Sequence, residues 1–384
     1  MAEADPRATV RSGAPLPLPQ CVALVLQGGG ALGAFQAGVY QRLRELGIEV
    51  SRVAGISIGA VNAAIIAGNP PERRVERLEE FWRLVSSWLP SFPIPDEVRA
   101  REFVHEWSAG FVLLAGVPGF FGLRPVSPHF AVPGTPGALS YYDSTALGRT
   151  LDRLIDWDLL NNGPITLSVG VVEIESGNFH YFNNRRCRLD ARHIMASGAL
   201  PPGLPPIEID GKHYWDGGIV SNTPLQDVMD TQDRPMLVFQ VDLFPAEGRL
   251  PRTMEDVVAR AKEIRFSSRT RQITSQMLRL RQEREQIRRV LAKLPPELAS
   301  DPDIAALAAR AEEHPVNVVQ LIHRAAAWEG DSRDYEFSAR TMREHWAAGR
   351  HAVTESIDNA ALLARNIVNG ETAAFDLTKK QSAT

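Results

Sequence analysis

A chain of 384 residues, 44% hydrophobic and 23% charged, has an ordinary globular composition and is long enough to bury a sizeable core. A net charge of −4 and a pI near 6.2 argue against binding nucleic acid through overall charge. Two cysteines, Cys21 and Cys187, leave no room for a disulfide framework or a cysteine-based metal site, and they fit a reducing compartment.

The first twenty residues, broken by Pro6, Pro15, Pro17 and Pro19, hold no apolar core of signal-peptide length and read as a flexible tail. No run approaches the ~18 apolar residues of a membrane span. The expectation is a soluble, cytoplasmic protein with at most peripheral membrane contact.

Cys21 to Leu26 is an apolar run of strand length. It ends in the turn Gln27-Gly28-Gly29-Gly30-Ala31-Leu32-Gly33, and Ala34 to Leu46 follows with Phe35, Val39, Leu43 and Leu46 at helical spacing. Val53-Ala54 then runs into Gly55-Ile56-Ser57-Ile58-Gly59, and residues 60–67 are small or apolar, as in a helix buried on most sides. Together these make a βαβ unit with a right-handed crossover. Strand, tight turn with a central serine, then helix is the context of a nucleophile elbow. Glycines suit the sharp turn because a Cβ would obstruct it. The following helix aims its positive end at the serine, where charge develops during acyl transfer.

Alone, each motif is weak. Gly28-x-Gly30-x-x-Gly33 also fits the dinucleotide fingerprint, which wants an acidic residue near the end of the second strand, with Glu49 the nearest candidate. The alternative is that the N–H groups of Gly28, Gly29 and Gly30 point into a shared pocket as an oxyanion hole. A second strand running straight into a glycine-flanked serine favours the latter.

Residues 72–89 form an amphipathic helical pattern, and 90–136 are rich in proline, glycine and aromatics. That insertion reads either as a segment packed on the core or as a lid or lipid-facing surface, given the short apolar run Gly110 to Val117. Asp143 to Ile155 reads as a helix, Ile165 to Val172 and Phe179 to Phe182 as strands, and His193 to Leu200 as a short helix. Next comes Asp216-Gly217-Gly218, ordinarily a turn, then Asn222 and Pro224, a helix, and the strand Met236 to Val241.

Past Phe244 the character changes. One long helical pattern from Met254 to Leu294 carries many basic residues between Arg260 and Lys293, either a solvated face or a surface drawn to anionic membrane. A strand at Val316 to Ile322 could extend the main sheet, a final helix spans Ser338 to Asn369, and the last dozen residues look disordered.

Taken together, Gly28-Gly29-Gly30-Ala31-Leu32-Gly33, Gly55-Ile56-Ser57-Ile58-Gly59 and Asp216-Gly217-Gly218 resemble the patatin-like phospholipase family, over roughly Val22 to Leu243. The resemblance implies an α/β class, three-layer α/β/α fold with a mainly parallel central sheet. With the proline-broken start and a junction at Pro245 to Pro251, the chain divides into a tail (1–20), an acyl hydrolase domain (21–245) and a largely helical C-terminal extension (246–384). The resemblance further implies cleavage of carboxylic esters of phospholipids or related lipids, without cofactor or metal. Ser57 would be the nucleophile, Asp216 the proton acceptor, and the amides of Gly28, Gly29, Gly30 and Ile58 the oxyanion donors. Gly33, Gly55, Gly59, Gly217 and Gly218 complete the motifs. Leu32 stands where many members carry Arg or Lys, which leaves head-group preference open.

The chemistry can also be argued from the residues. A serine hydroxyl needs a base, and an aspartate with pKa about 3.9 is a feeble one until desolvation raises it. Three rival readings remain. One is a Ser-Asp-His triad using His314, His323, His345 or His351. The others are a lipid-binding or scaffolding protein of low turnover, and a nucleotide-binding module. His193 and His213 have no metal-ligand partners at suitable spacing.

Overall fold

The computed structural model describes residues 16–86, 97–311, 314–326 and 329–378. Most of the expected tail, the prolines at 90, 93 and 95, and the last six residues lie outside that range. The tail is shorter than expected, because Leu16 and Leu18 are buried in the main core.

Strand β1 (Cys21–Leu26) leads through a 3₁₀ turn at Gly30–Leu32 into helix α1 (Gly33–Glu45), and β2 (Arg52–Gly55) into α2 (Ile58–Ala67). Helices α3 (Arg74–Ser86) and α4 (Val98–Ala115) follow, then the two-residue strands β3 (Gly122–Leu123) and β4 (Tyr142–Asp143), which pair with each other. Next come α5 (Thr145–Leu154), α6 (Trp157–Asn162), β5 (Thr166–Glu173), β6 (Phe179–Asn183), α7 (Ala191–Ser197), β7 (Ile207–Ile209) and β8 (Lys212–Asp216). The remainder is α8 (Leu225–Asp230), β9 (Met236–Asp242), α9 (Met254–Leu291), α10 (Pro302–Ala311), β10 (Val316–Ile322), α11 (Ala339–Asp358), α12 (Ala361–Asn369) and β11 (Ala373–Phe375). The apolar run at 110–117 belongs mostly to α4, a regular helix.

The central sheet runs β11-β10-β9-β1-β2-β5-β8-β7, with β6 also paired to β5. Pairings from β11 to β5 are parallel; β6, β7 and β8 are antiparallel. Alternation along β1 makes the layers. Val22, Leu24 and Leu26 join the large core with α1 and α2, whereas Cys21, Ala23 and Val25 pack with Leu225, Val228 and Met229 of α8 on the other face. No helix of the described residues is long and apolar enough to cross a membrane.

The C-terminal stretch is mainly helical yet supplies two strands of this sheet. β10 lies beside β9 from Val316 opposite Met236 to Ile322 opposite Asp242. β11 pairs with β10 where disorder was expected. The expected final helix breaks at Asn359-Ala360 into α11 and α12. α11 lies against α1 so closely that a Cβ at Gly349 would stand 2.0 Å from the Phe35 carbonyl oxygen, and one at Gly38 1.9 Å from that of Trp346.

The basic residues of α9 are partly spent inside the molecule. Arg260 donates to the Ala246 carbonyl and pairs with Glu263, Lys262 pairs with Asp334, and buried Arg281 donates to the His314 carbonyl. The side chains of Arg269 and Arg271 lie outside the described set.

Candidate active site

Two strands meet end to end along one edge of β5. β6 covers one edge over Ser168–Val172. The other edge therefore takes both β2, with Gly55 opposite Val169, and β8, with Asp216 opposite Val171. The chain leaving β2 and the carboxylate ending β8 are thus brought together, although Ser57 and Asp216 stand 159 positions apart in the chain. The Ser57 side chain is near enough to the Asp216 carboxylate to favour its charged form, and both line one cavity.

Ser57 has φ 56° and ψ −126°, a conformation that side chains rarely adopt, at the head of α2. The flanking glycines permit the tight turn, because a Cβ at Gly55 would stand 2.3 Å from the Gly59 carbonyl oxygen, and one at Gly59 the same distance from that of Leu26. A prop that sequence reasoning missed holds the elbow. The buried Ser197 hydroxyl accepts the Ser57 N–H at 3.0 Å and donates to the Gly170 carbonyl at 2.7 Å. Ser197→Ala, which strands the Ser57 N–H, is expected to lower kcat for a soluble ester about tenfold with KM little changed. Steady-state kinetics checks this.

Asp216 is 2% exposed. Burial pushes its carboxyl up to about 7, against a hydrogen bond from the Gly218 N–H and the nearby Ser57 hydroxyl, both of which favour the charged form. Gly218 donates to Oδ1 at 2.7 Å. A carboxyl poised near neutrality beside a hydroxyl can take that hydroxyl's proton and return it.

The glycine-loop amides divide. The Gly28 N–H is engaged with the Asn222 carbonyl at 3.3 Å, while the Asn222 side chain donates to the Gly28 carbonyl at 2.9 Å. Gly28 is therefore a clamp between the glycine loop and the strand end carrying Asp216, and it is not open as an oxyanion donor. The amides of Gly29, Gly30 and Ile58 have no acceptor among the described residues. Gly30 has φ +54°, and a Cβ there would meet the Asp334 carbonyl oxygen at 1.9 Å. Below the loop, Gln27 accepts the Leu243 and Phe244 amides, Gln36 donates to the Gln27 carbonyl, and Asn62 links Gln36 to Trp82. Leu32 is wholly buried and takes no part in lining the cavity.

Ser57, Asp216, Asn222 and the three glycines line a cavity of about 270 Å³ whose walls are otherwise mostly apolar. Val112 and Leu113 of α4, Phe120, Phe121, Tyr142, Phe244, Phe266, Tyr335 and Phe337 supply the apolar wall, with Phe337 edge-on to Phe120 and Phe121. None of the rival triad histidines lines it. His193 caps α7 with Asp190, and His213 pairs with Glu175. Glu49 precedes β2, at the wrong end of the strand for a ribose, and pairs with Arg44. The dinucleotide reading thereby loses its acidic residue.

A family model described as patatin-like phospholipase matches residues 24–229, more than half of the chain. The chain belongs to the patatin-like phospholipase family. A second model, described as patatin phospholipase, matches 264–367, so most of the C-terminal stretch is itself a patatin-family feature. The chain is 28% identical over 245 residues to the lysophospholipase NTE1 of Kluyveromyces lactis, covering 62% of this chain and 14% of that protein. It is 28% identical over 204 residues to an uncharacterized NTE family protein of Mycobacterium bovis, covering 53% and 44% respectively. It thus spans less than half the length of either relative. Among solved structures, human GIVD cytosolic phospholipase A2 aligns with a TM-score of 0.45 at 11% identity, over 92% of this chain and 61% of that one.

Proposed function

We propose that this patatin-like protein hydrolyses carboxylic esters of phospholipids or related lipids through Ser57 and Asp216. The observation that carries the reading is a hydroxyl on a strained elbow beside a desolvated carboxylate, in a mostly apolar cavity. Ser57 Oγ attacks the acyl carbonyl carbon as its proton passes to Asp216. The carbonyl oxygen gains the negative charge, held by the amides of Gly29, Gly30 and Ile58 and by the N-terminus of α2. Collapse breaks the ester C–O bond, and Asp216 returns the proton to the leaving alcohol. Water, deprotonated by the same carboxylate, then attacks the acyl carbon; the acyl C–Oγ bond breaks, Asp216 returns the proton to Ser57 Oγ, and the fatty acid leaves. Aromatic and aliphatic walls suit an acyl chain.

A fluorophosphonate probe tests the reading, since it reacts only with an activated serine. Stoichiometric labelling located at Ser57 by peptide mass spectrometry is expected. Absence of labelling in folded protein would favour the lipid-binding alternative, in which the site is kept but turnover is low.

Contact with a lipid surface is proposed through α4. Phe103, Trp107, Phe111 and Leu114 recur at i, i+4, i+8 and i+11, which places them on one helix face. Phe103 and Leu114 are 73% and 74% exposed, whereas Ser108, Ala109 and Val112 on the opposite face are buried. The exposed stripe adjoins the cavity wall formed by Val112 and Leu113. Such an apolar surface marks an interaction site. Leu114→Glu is expected to reduce hydrolysis of phospholipid vesicles about tenfold or more while leaving a soluble short-chain ester unaffected. Parallel assays on the two substrates check it. Vesicle binding that rises with anionic lipid and falls with salt would give α9 a share in the contact.

A further inference from the structure

Three buried side chains converge from the C-terminal stretch beside α1, where the His323 ring meets Phe35 edge-on at 5.3 Å. His323 follows β10, Glu329 lies in the next loop, and His345 is on α11. His345 Nε2 is 3.4 Å and His323 Nε2 3.8 Å from the same oxygen, Glu329 Oε2. A ligand atom from each of the three lies within 4.8 Å of the others. The side chains are only 2%, 3% and 4% exposed for His345, His323 and Glu329.

Their hydrogen bonding is incomplete. Glu329 Oε1 accepts the Ala326 N–H at 3.1 Å. Oε2, His323 Nδ1 and both ring nitrogens of His345 have no hydrogen-bond partner among the described residues. Glu329 Oε2 and His345 Nε2 at least face each other at 3.4 Å, but His323 Nδ1 and His345 Nδ1 have no partner among the described residues, and buried polar groups are otherwise nearly always satisfied. The arginines nearest along the chain are spent elsewhere, Arg324 on Asp376 and Arg333 on Glu263. No arginine therefore neutralises Glu329 from its own loop.

Two imidazoles and one carboxylate make a donor set suited to zinc and its neighbours among divalent transition metals. Metal–ligand bonds of about 2.0–2.2 Å put the ligand atoms of a tetrahedral site about 3.4 Å apart. The 3.4 Å separation equals that edge, and the 3.8 Å separation needs only a small side-chain rotation to reach it. Glu329 also lines a cleft open to solvent beside Arg324 and Asp376.

We propose that His323, Glu329 and His345 bind a divalent cation of the zinc class, at a site distinct from the ester-cleaving residues. The cation would tie the end of β10 and its following loop to α11. That loop continues into the 3₁₀ turn Asp331–Asp334, whose last carbonyl abuts Gly30 and whose Ser332 hydroxyl meets His105 of α4 at 3.1 Å. Bound metal would thereby steady both the glycine loop and the helix over the cavity.

The test uses the full chain, stripped with a chelator and titrated separately with Zn²⁺ and Co²⁺. One equivalent retained through gel filtration, visible Co²⁺ absorption of tetrahedral intensity, and a higher melting temperature are expected. His345→Asn and Glu329→Gln should each reduce retained metal by about tenfold or more. Circular dichroism of the metal-free variants shows whether they fold; if one does not, the other variant and the wild-type titration decide. Failure of the wild type to retain metal or to respond in melting temperature would leave a buried polar cluster and overturn the proposal. Equal retention by both variants would overturn it too, by putting the metal elsewhere.

Discussion

Ser57→Ala and Asp216→Asn are each expected to lower kcat for a chromogenic acyl ester by about 1,000-fold or more, and the double variant hardly further, because the two groups act as one unit. Without the hydroxyl no acyl-enzyme forms, and without the carboxylate nothing takes its proton. Asp216 also sets the pH dependence. With its carboxyl pushed up to about 7, kcat/KM of the wild type should fall through an acid limb with a midpoint near pH 7 as the base becomes protonated. A stability measurement separates this role from a structural one. In the folded chain Asp216 holds a proton up to about pH 7, whereas the unfolded chain releases it near 3.8. Between those values the folded state binds more protons, so stability falls as pH rises, and above about 7 the full cost of the buried charge is present. That gap corresponds to roughly 4 kcal/mol. Asp216→Asn removes the charge and keeps the shape, so it should melt at or above the wild-type temperature at pH 8, with the difference closing toward pH 4. Melting curves across pH check the sign. A variant that is inactive and also less stable at pH 8 would argue that Asp216 is structural.

The parts of this site that the sequence reveals are the local ones. A strand, two glycines and a serine within a few residues fix the elbow, because its geometry is dictated by neighbours along the chain. Asp216 was legible only through its motif; what brings it to Ser57 is the sharing of one β5 edge by β2 and β8, which no local pattern encodes. Ser197 left no signal, since a serine ending a short helix is common and its two hydrogen bonds go to Ser57 and Gly170. The loss of Gly28 as a donor was equally invisible, because it depends on the Asn222 carbonyl. His323 and His345 read as isolated residues for the same reason: β10 and α11 must pack before they meet Glu329. A raised carboxyl by itself would not have found the site either. Asp242 is also pushed up to about 7 by burial, but its neighbour is the Gln240 amide rather than a hydroxyl.

A chain ended at residue 245 is expected to be unfolded or aggregated, although composition alone suggests a boundary there. Truncation removes β10 and leaves β9, a buried strand seven residues long, as a bare edge open to pairing with other chains. It uncovers the α1 surface that α11 covers, and deletes the Asp331–Asp334 turn that backs Gly30. The cavity would also lose Phe266, Tyr335 and Phe337 from its wall. A single substitution probes the same dependence more gently. Gly349→Val forces atoms into a contact where even a Cβ would stand 2.0 Å from the Phe35 carbonyl oxygen, and since that neighbour is backbone, α11 must shift away from α1. Overpacking of this kind costs about 3 kcal/mol, and the melting temperature should drop by several degrees. Because α1 begins directly after the glycine loop, activity should fall along with stability. If 246–384 were a separate module, the truncated chain would instead be monomeric, fold cooperatively and react with a fluorophosphonate at Ser57. Size-exclusion chromatography, thermal melting and probe labelling of residues 1–245 distinguish the two outcomes.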